Sequence, residues 1–200
     1  MMNSVFSDST GNTLIGIRNV LDATKKKHFP LEELMKNETR PLLIGDDEID
    51  ALLALKWGDS RIVPLFNELS GGVAANANDH VDHIWAKNIL TSKKYIKKKY
   101  PTASDDIIGQ YKKKCNFLSN LELLDRSVNI SKSDTEFKIW LDSYKPEAED
   151  QIVFKKDHFI PEDAPCDYVD FLEFFNKREA LLRKKIKEVC VIFRSSRICL

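Results

Sequence analysis

The apolar positions in the first third of the chain recur at intervals of three and four residues, which predicts amphipathic helices. Asp46 can cap one of these helices and Ser60 can cap the next, and an earlier helix is predicted over residues 14–21. Residues 10–70 are therefore expected to form a small helical bundle.

The pattern changes after a flexible connector at residues 70–79, which is the best candidate for a hinge. Residues 80–84 alternate as a short strand, and residues 121–124 are expected to form a second strand. Helices are predicted between the strands and after them, at residues 91–100, 105–114 and 131–140. The result is a ββα arrangement with a helical insertion between its strands.

The last quarter of the chain is predicted to contain a linker and one long helix. Residues 146–167 are acidic and contain prolines, whereas residues 168–193 carry apolar side chains on one helical face. The expected fold is mainly α (α+β). It has three segments: a helical segment at 1–72, a ββα core at 73–145, and a linker with a long helix packed on that core at 146–200.

Composition excludes some classes of protein. The 200 residues suit one domain or one and a half, and a hydrophobic content of 42% is enough for a core. There is no run of 18 apolar residues, so neither a membrane span nor a membrane partner is expected, and the N-terminus lacks the layout of a signal peptide. The four cysteines form no C-x-x-C pair, which predicts reduced thiols, a cytoplasmic protein and no zinc site.

The formal net charge of zero conceals a basic middle segment. Residues 80–145 carry 13 basic and 8 acidic side chains, whereas residues 1–79 carry 8 and 12. Because the local field rather than the total charge attracts phosphate, this segment predicts a polyanionic partner.

An Asp-His pair at the end of the first predicted strand points to a catalytic site. The intrinsic pKa of His83, about 6.5, suits a general base. Asp82 can offer a carboxylate oxygen and Asn129 an amide oxygen to a divalent cation, and such ligands favour Mg²⁺ or Mn²⁺ over Zn²⁺. Asn120 is better placed to tie the loop backbone than to take part in the chemistry.

Each of these residues also has a purely structural interpretation. An Asp-His pair in a strand is most often structural, and an asparagine before a helix is usually a cap. The joint order of Asp82-His83, Asn120 and Asn129 favours the catalytic interpretation. Two other functions remain open: a catalytically silent DNA clamp, and an interaction protein whose N-terminal third and long C-terminal helix serve as docking surfaces.

A lysine-rich insertion separates the two predicted strands. Residues 85–114 contain nine lysines against two aspartates, and although lysine runs are usually solvated faces, these flank the predicted site. Interleaved aromatic residues, Tyr95, Tyr100 and Tyr111, could stack on bases. The predicted DNA-binding residues are His80, Lys87, Lys93, Lys94, Lys97, Lys98, Lys112, Lys113 and Lys132. Ordinary surface roles remain open for His80 and Lys132.

Three motifs carry a resemblance to a known family: His80-Val-Asp-His-Ile, Asn120-Leu-Glu-Leu-Leu and Asn129-Ile-Ser-Lys-Ser. They resemble the C-terminal HNH nuclease half of GmrSD-type restriction proteins, bacterial anti-phage systems that cut modified foreign DNA. The same order of residues is similar to the HNH domain of RNA-guided CRISPR nucleases. The resemblance covers most of residues 10–193. It implies a ββα-metal fold that cuts DNA, with His83 as general base, Asp82 and Asn129 as metal ligands, and Asn120 as the structural asparagine.

The sequence departs from the family pattern in two places. The family commonly has proline where this chain has Ala86, which changes the shape of a loop. The family's other half, a nucleotide-binding sensor, has no counterpart here, since no G-x-x-x-x-G-K-[ST] loop is present and no nucleotide cofactor is predicted. We therefore expect an excised nuclease domain, or one subunit of a split system whose sensor domain or subunit is a partner.

Overall fold

The alternating residues around His83 form the expected antiparallel hairpin in the structure, a computed structural model. β1 (Asp79–His83) pairs with β2 (Leu121–Asp125). In this register Asp82 faces Glu122 across the two strands.

The structure describes residues 18–19, 45–71 and 78–195, and for residues 168 and 190–195 the backbone alone. Most of the predicted helix at 14–21 and most of the predicted hinge at 70–79 lie outside these residues. The chain divides into two compact units, Asp50–Ile186 and a smaller unit made of Met1–Ile49 and Lys187–Leu200. The predicted boundary between residues 145 and 146 falls within the larger unit.

The described part of the chain is mainly helical with a two-stranded sheet, and the predicted fold class is confirmed at that level. The helices are α1 (Asp46–Leu53), α2 (Ile62–Leu69), α3 (Lys87–Thr91), α4 (Lys93–Lys99), α5 (Asp105–Lys114), α6 (Arg126–Lys132), α7 (Phe137–Tyr144), α8 (Ala148–Asp157) and α9 (Phe171–Ser195). Short 3₁₀ turns at Leu118–Asn120 and Tyr168–Asp170 precede β2 and α9. Within the described ranges no helix is both long and apolar enough to cross a membrane.

Side-chain caps explain where the helices of the insertion begin. The hydroxyl of Ser92 accepts a hydrogen bond from Tyr95 N at the start of α4, and that of Ser104 accepts one from Ile107 N at the start of α5. The cap predicted for Ser60 is wrong, because Arg61 occupies the N-cap position of α2 and its side chain makes no capping bond.

Two predicted elements differ from the structure. The helix expected at residues 131–140 is two helices, α6 and α7, separated by a turn in which Ser133 has a φ of 46°. Asp125 caps α6 through Ser127 N, so Asn129 lies inside this helix rather than at its start. The predicted linker contains α8, whose largest apolar side chain, Phe154, is buried against Trp140.

The core of the larger unit surrounds the ring of Trp85. The rings of Phe174, Phe171 and Phe137 lie 5.3, 5.8 and 6.1 Å from it, centroid to centroid. The buried side chains of α9 recur every three or four residues, at Phe171, Phe174, Phe175, Arg178, Leu182 and Ile186. The prediction of a long amphipathic helix packed on the core is therefore confirmed for this stretch.

Arg178 fixes α9 to the turn in front of β2. Its buried guanidinium donates to the backbone carbonyls of Leu118, His158 and Phe159 at 3.1, 3.1 and 3.3 Å. Burial lowers the pKa of Arg178 to about 9, which leaves it protonated at neutral pH. In the smaller unit, Lys187 forms an ion pair with Asp46 at 2.6 Å.

Candidate active site

His83 ends β1, and its ring is held from two directions. Nε2 lies 2.9 Å from Oδ1 of Asn116, and the indole of Trp57 stacks on the ring with centroids 6.0 Å apart. An amide oxygen only accepts hydrogen bonds, so Nε2 carries the proton and Nδ1 of the neutral ring is an acceptor. Burial lowers the pKa of His83, against opposing effects of Asn116 and Asp82, which keeps the ring neutral at physiological pH.

The two residues that hold His83 are brought together by pairing between two loops. Trp57 N donates to Asn116 O at 2.8 Å, and Leu118 N donates to Leu55 O at 2.8 Å. The indole Nε1 of Trp57 also donates to Val81 O at 3.3 Å. Sequence reasoning missed both Trp57 and Asn116, because a tryptophan between two helices and an asparagine before a short turn carry no motif of their own.

Asp82 is bound by a buried lysine. Nζ of Lys132 lies 2.7 Å from Oδ2 of Asp82, 2.7 Å from Oε1 of Glu122 and 3.0 Å from the carbonyl oxygen of His83. The same ammonium lies 4.8 Å from the ring centroid of Trp140. Lys132 is 1% exposed. The predicted contact of Lys132 with DNA phosphate is therefore wrong for this conformation, because all three N–H groups point at protein oxygens.

Glu122 is the buried member of this charge cluster. Burial raises its pKa, but the ammonium of Lys132 and the ring of His158 more than offset that effect and hold the pKa at about 2. Nδ1 of His158 lies 2.8 Å from Oε2 of Glu122, a contact that becomes an ion pair only when the ring is protonated. The signal that sequence reasoning missed is the register itself. Two carboxylates directly opposite each other on a hairpin are destabilising, which favours a cation between them.

Asn120 braces the backbone on both sides of the site. Its Oδ1 accepts from Trp85 N at 3.0 Å, and its Nδ2 donates to Trp85 O and Cys115 O at 3.1 and 2.8 Å. The side chain is fully buried and reaches no solvent. This is the arrangement expected of a structural asparagine, and it excludes contact between Asn120 and a substrate.

Asn129 lies on α6, one helical turn before Lys132, and α6 packs against both strands of the hairpin. Its half-buried amide makes no hydrogen bond to another described residue. Because Lys132 occupies Oδ2 of Asp82, Oδ1 of that carboxylate remains for a second cation. Among the described residues, no three His, Cys, Asp or Glu side chains are grouped as a metal site. Any divalent cation here would therefore depend on the amide oxygen as well as the carboxylate.

The lysines of the insertion fall into two groups. Four are engaged within the protein: Lys93 with Asp105, Lys97 with the carbonyl oxygen of Ala103, Lys99 with Glu136, and Lys114 over the ring of Phe175. The other five are exposed, and their ammonium groups make no hydrogen bond, ion pair or ring contact with the described part of the chain: Lys87, Lys94, Lys98, Lys112 and Lys113. Of the other predicted DNA contacts, His80 is exposed on β1, whereas Lys93 and Lys97 are committed to internal partners.

The tyrosines of the insertion are less available for stacking than their positions indicated. Tyr111 is buried and donates to Val169 O, and Tyr95 donates to the carboxylate of Glu136. Tyr100 is half-buried against the core. In contrast to these tyrosines, Trp57 is 54% exposed, and its ring lies beside His83.

Comparison with known proteins does not identify a family or a function for this site. No protein-family model matches the chain, and no curated protein matches it significantly.

Proposed function

We propose that this chain is a metal-dependent endonuclease of the HNH type that hydrolyses DNA phosphodiester bonds, most simply by nicking one strand per site. The observation that carries the proposal is the hydrogen bond between His83 Nε2 and Asn116 Oδ1. This bond leaves Nδ1 of the neutral imidazole as the basic nitrogen. His83 directly follows Asp82 on the β1–β2 hairpin, and α6 begins directly after β2. The three sequence motifs that resemble GmrSD-type proteins support the same assignment.

The reaction begins with a water molecule at Nδ1 of His83. The ring accepts a proton from this water as its oxygen attacks phosphorus, and the lowered pKa of His83 keeps the base unprotonated at neutral pH. Asn116 prevents the ring from rotating and fixes which nitrogen is the base. Asn120 holds the backbone that follows β1, which preserves the direction of the imidazole.

The proposed cofactor is Mg²⁺ or Mn²⁺, held by Oδ1 of Asp82 and the amide oxygen of Asn129. These hard oxygen donors fit such ions and not Zn²⁺. When bound, the ion would stabilise negative charge on the phosphate and on the leaving 3′ oxygen. Lys132 and Glu122 fix the Asp82 carboxylate from the opposite side, so its free oxygen has one orientation.

DNA is the proposed substrate because the ammonium groups of five exposed lysines of the insertion make no hydrogen bond or ion pair with the described residues. The family resemblance supports a role in defence against phage, with a nucleotide-binding sensor as partner. It also favours DNA over RNA, which the residues alone do not separate.

The deciding experiment is nicking of supercoiled plasmid with Mg²⁺ or Mn²⁺ by the wild-type chain and by His83→Ala. We expect nicking that requires the metal and falls by at least about 100-fold in the variant, the usual contribution of a general base. Glu149→Gln is the control, because it changes an exposed side chain of α8 that the proposed site does not use. Unchanged nicking by His83→Ala would disprove the site assignment.

The exposed lysines also suit a catalytically silent DNA clamp, which is the alternative. DNA binding by wild type and His83→Ala alike, without nicking under any metal, would favour the clamp. The docking alternative has less support for the C-terminal helix, since no large apolar side chain described in α9 is exposed; in the N-terminal third, Trp57 is exposed.

A further inference from the structure

Trp57 has a surface that neither the fold nor the proposed reaction uses. Its backbone N–H donates to Asn116 O and its indole N–H donates to Val81 O, so both polar groups are satisfied by the protein. The ring is nevertheless 54% exposed, in contrast to Trp85 and Trp140, which are 2% and 5% exposed. A rigidly anchored indole with a large apolar surface in water is a preorganised contact for a flat ligand.

The position of this ring relates it to the proposed reaction. One face of the indole stacks on the imidazole of His83, at an interplanar angle of 24°. A ligand on the exposed part of the indole therefore lies next to His83, the proposed general base, with only the indole between them. For a nuclease, the flat group nearest the scissile phosphate is a nucleobase of the strand being cut.

A groove next to Trp57 provides room for such a group. Its volume is about 360 Å³, within the roughly 300–1,000 Å³ of small-molecule sites. Its walls include Ala51, Ala54, Leu55 and the Asp59–Arg61 ion pair. Lys56 also lines it, and its ammonium lies over the ring of Phe117 with no oxygen acceptor among the described residues. A groove that combines small apolar side chains with the exposed ammonium of Lys56 suits a base with its phosphate.

We infer that Trp57 is a stacking platform for an unpaired nucleobase beside the scissile phosphate, so that the preferred substrate is DNA with a single-stranded or extruded nucleotide. This inference rests on the proposed function. In an intact duplex the faces of each base are covered by their neighbours, and a fixed protein ring cannot reach them. Aromatic stacking on unpaired bases is largely independent of sequence, so the platform does not require a particular base.

The test measures tryptophan emission of the full chain in the absence of metal, so that no cleavage occurs. The probes are a single-stranded oligothymidylate, the same strand with one abasic position, and the matching thymine–adenine duplex. Because Trp85 and Trp140 are buried, quenching by a stacked base reports on Trp57. We expect saturable quenching by the single strand, weaker quenching by the abasic strand and none by the duplex.

Variants separate stacking from a structural role of the ring. Their affinities are measured by fluorescence anisotropy of a dye-labelled strand, because both variants remove the Trp57 emission. Trp57→Phe keeps an aromatic ring and should bind the single strand within about threefold of wild type, whereas Trp57→Leu should bind about tenfold more weakly. Ile152→Ala, which trims an exposed apolar side chain on α8, is the matched control and should bind as wild type. If Trp57→Leu does not fold, the comparison of the three probes on the wild-type chain still decides the question.

The outcomes distinguish this inference from the proposed function. Nicking of plasmid without any quenching by single strands, or equal quenching by the duplex, overturns the stacking platform and leaves the nuclease intact. Quenching restricted to unpaired bases supports the platform even where plasmid nicking fails and the nuclease assignment is lost.

Discussion

Asp82 and Glu122 are direct partners across the β1–β2 hairpin, and both carboxylates bind the same ammonium, Nζ of Lys132. Two facing carboxylates would repel each other and weaken the hairpin. The lysine converts this repulsion into a three-charge cluster that connects α6 to both strands. The geometry of Asp82 therefore depends on a residue that has no contact with solvent.

Lys132→Met should destabilise the fold strongly, because it leaves Asp82 and the fully buried Glu122 facing each other without the ammonium that binds both. We expect a loss of about 3–5 kcal/mol in the free energy of unfolding, measured by urea denaturation. Lys138→Met is the control, since Lys138 forms an exposed pair with Asp142 and should cost about 0.5 kcal/mol or less. Adding Glu122→Gln to Lys132→Met should recover part of the loss. Similar small losses for both lysines would contradict the cluster's role.

The charge cluster also predicts how stability changes in acid. The pKa of Glu122 is about 2 in the folded protein, below its ordinary value of 4.5. Above pH 4.5 the carboxylate is ionised in both states, and its contribution is fully present. As the pH falls from 4.5 towards 2, the unfolded chain takes up the proton first and stability is lost. The free energy of unfolding, measured by urea denaturation at a series of values from about pH 6 to about pH 3, should therefore fall less steeply with decreasing pH for Glu122→Gln than for wild type. Glu149→Gln, which changes an exposed acid of α8, should keep the wild-type slope.

Replacing each motif asparagine by alanine should affect a different property: Asn120→Ala should lower stability, and Asn129→Ala should lower metal affinity. Asn120→Ala removes three hydrogen bonds to buried backbone groups and should cost about 2–4 kcal/mol of stability. Asn129→Ala breaks no hydrogen bond to a described residue and should cost little stability, but it should weaken Mn²⁺ binding measured by calorimetry. An Asn129→Ala variant with wild-type Mn²⁺ affinity would exclude this residue as a ligand.

Binding of duplex DNA should depend on salt through the uncommitted lysines. If all five contact phosphates, a plot of log affinity against log salt should have a slope of about −4.5. Replacing Lys94 and Lys98 by Gln should make the slope less steep by about 1.8. The same replacement of Lys93 and Lys99 is the control, because their ammonium groups already bind Asp105 and Glu136. Equal changes in both double variants would show that internal ion pairs do not decide which lysines meet DNA.

Local sequence signals predicted the parts of the fold that depend on neighbours in the chain. Ser104 caps α5 as expected. Alternation predicted β1, and the strand-like residues 121–124 predicted β2, each within one residue of its observed bounds. The break between α6 and α7 was missed, although Ser133, Asp134 and Thr135 form a short polar cluster of the kind that marks a turn.

The candidate site was predictable only in its motif residues. Asp82, His83 and Asn120 lie where the strand and turn signals put them. Trp57 and Asn116 were not predictable, because their roles come from pairing between distant loops. Lys132 was assigned to the surface because lysines are rarely buried, and its burial follows from the two acids that face each other across the hairpin.

The hydrogen bond between Trp57 and Asn116 has a consequence for the order of folding. It closes a loop of about 60 residues, whereas α4 and α5 form from contacts within a few positions. A chain that has formed its helices but not this loop contains His83 without the residues that orient it. If the proposed nuclease activity is correct, it would be acquired late, only after the two distant loops have met, and a newly made chain would not cut DNA until folding is nearly complete.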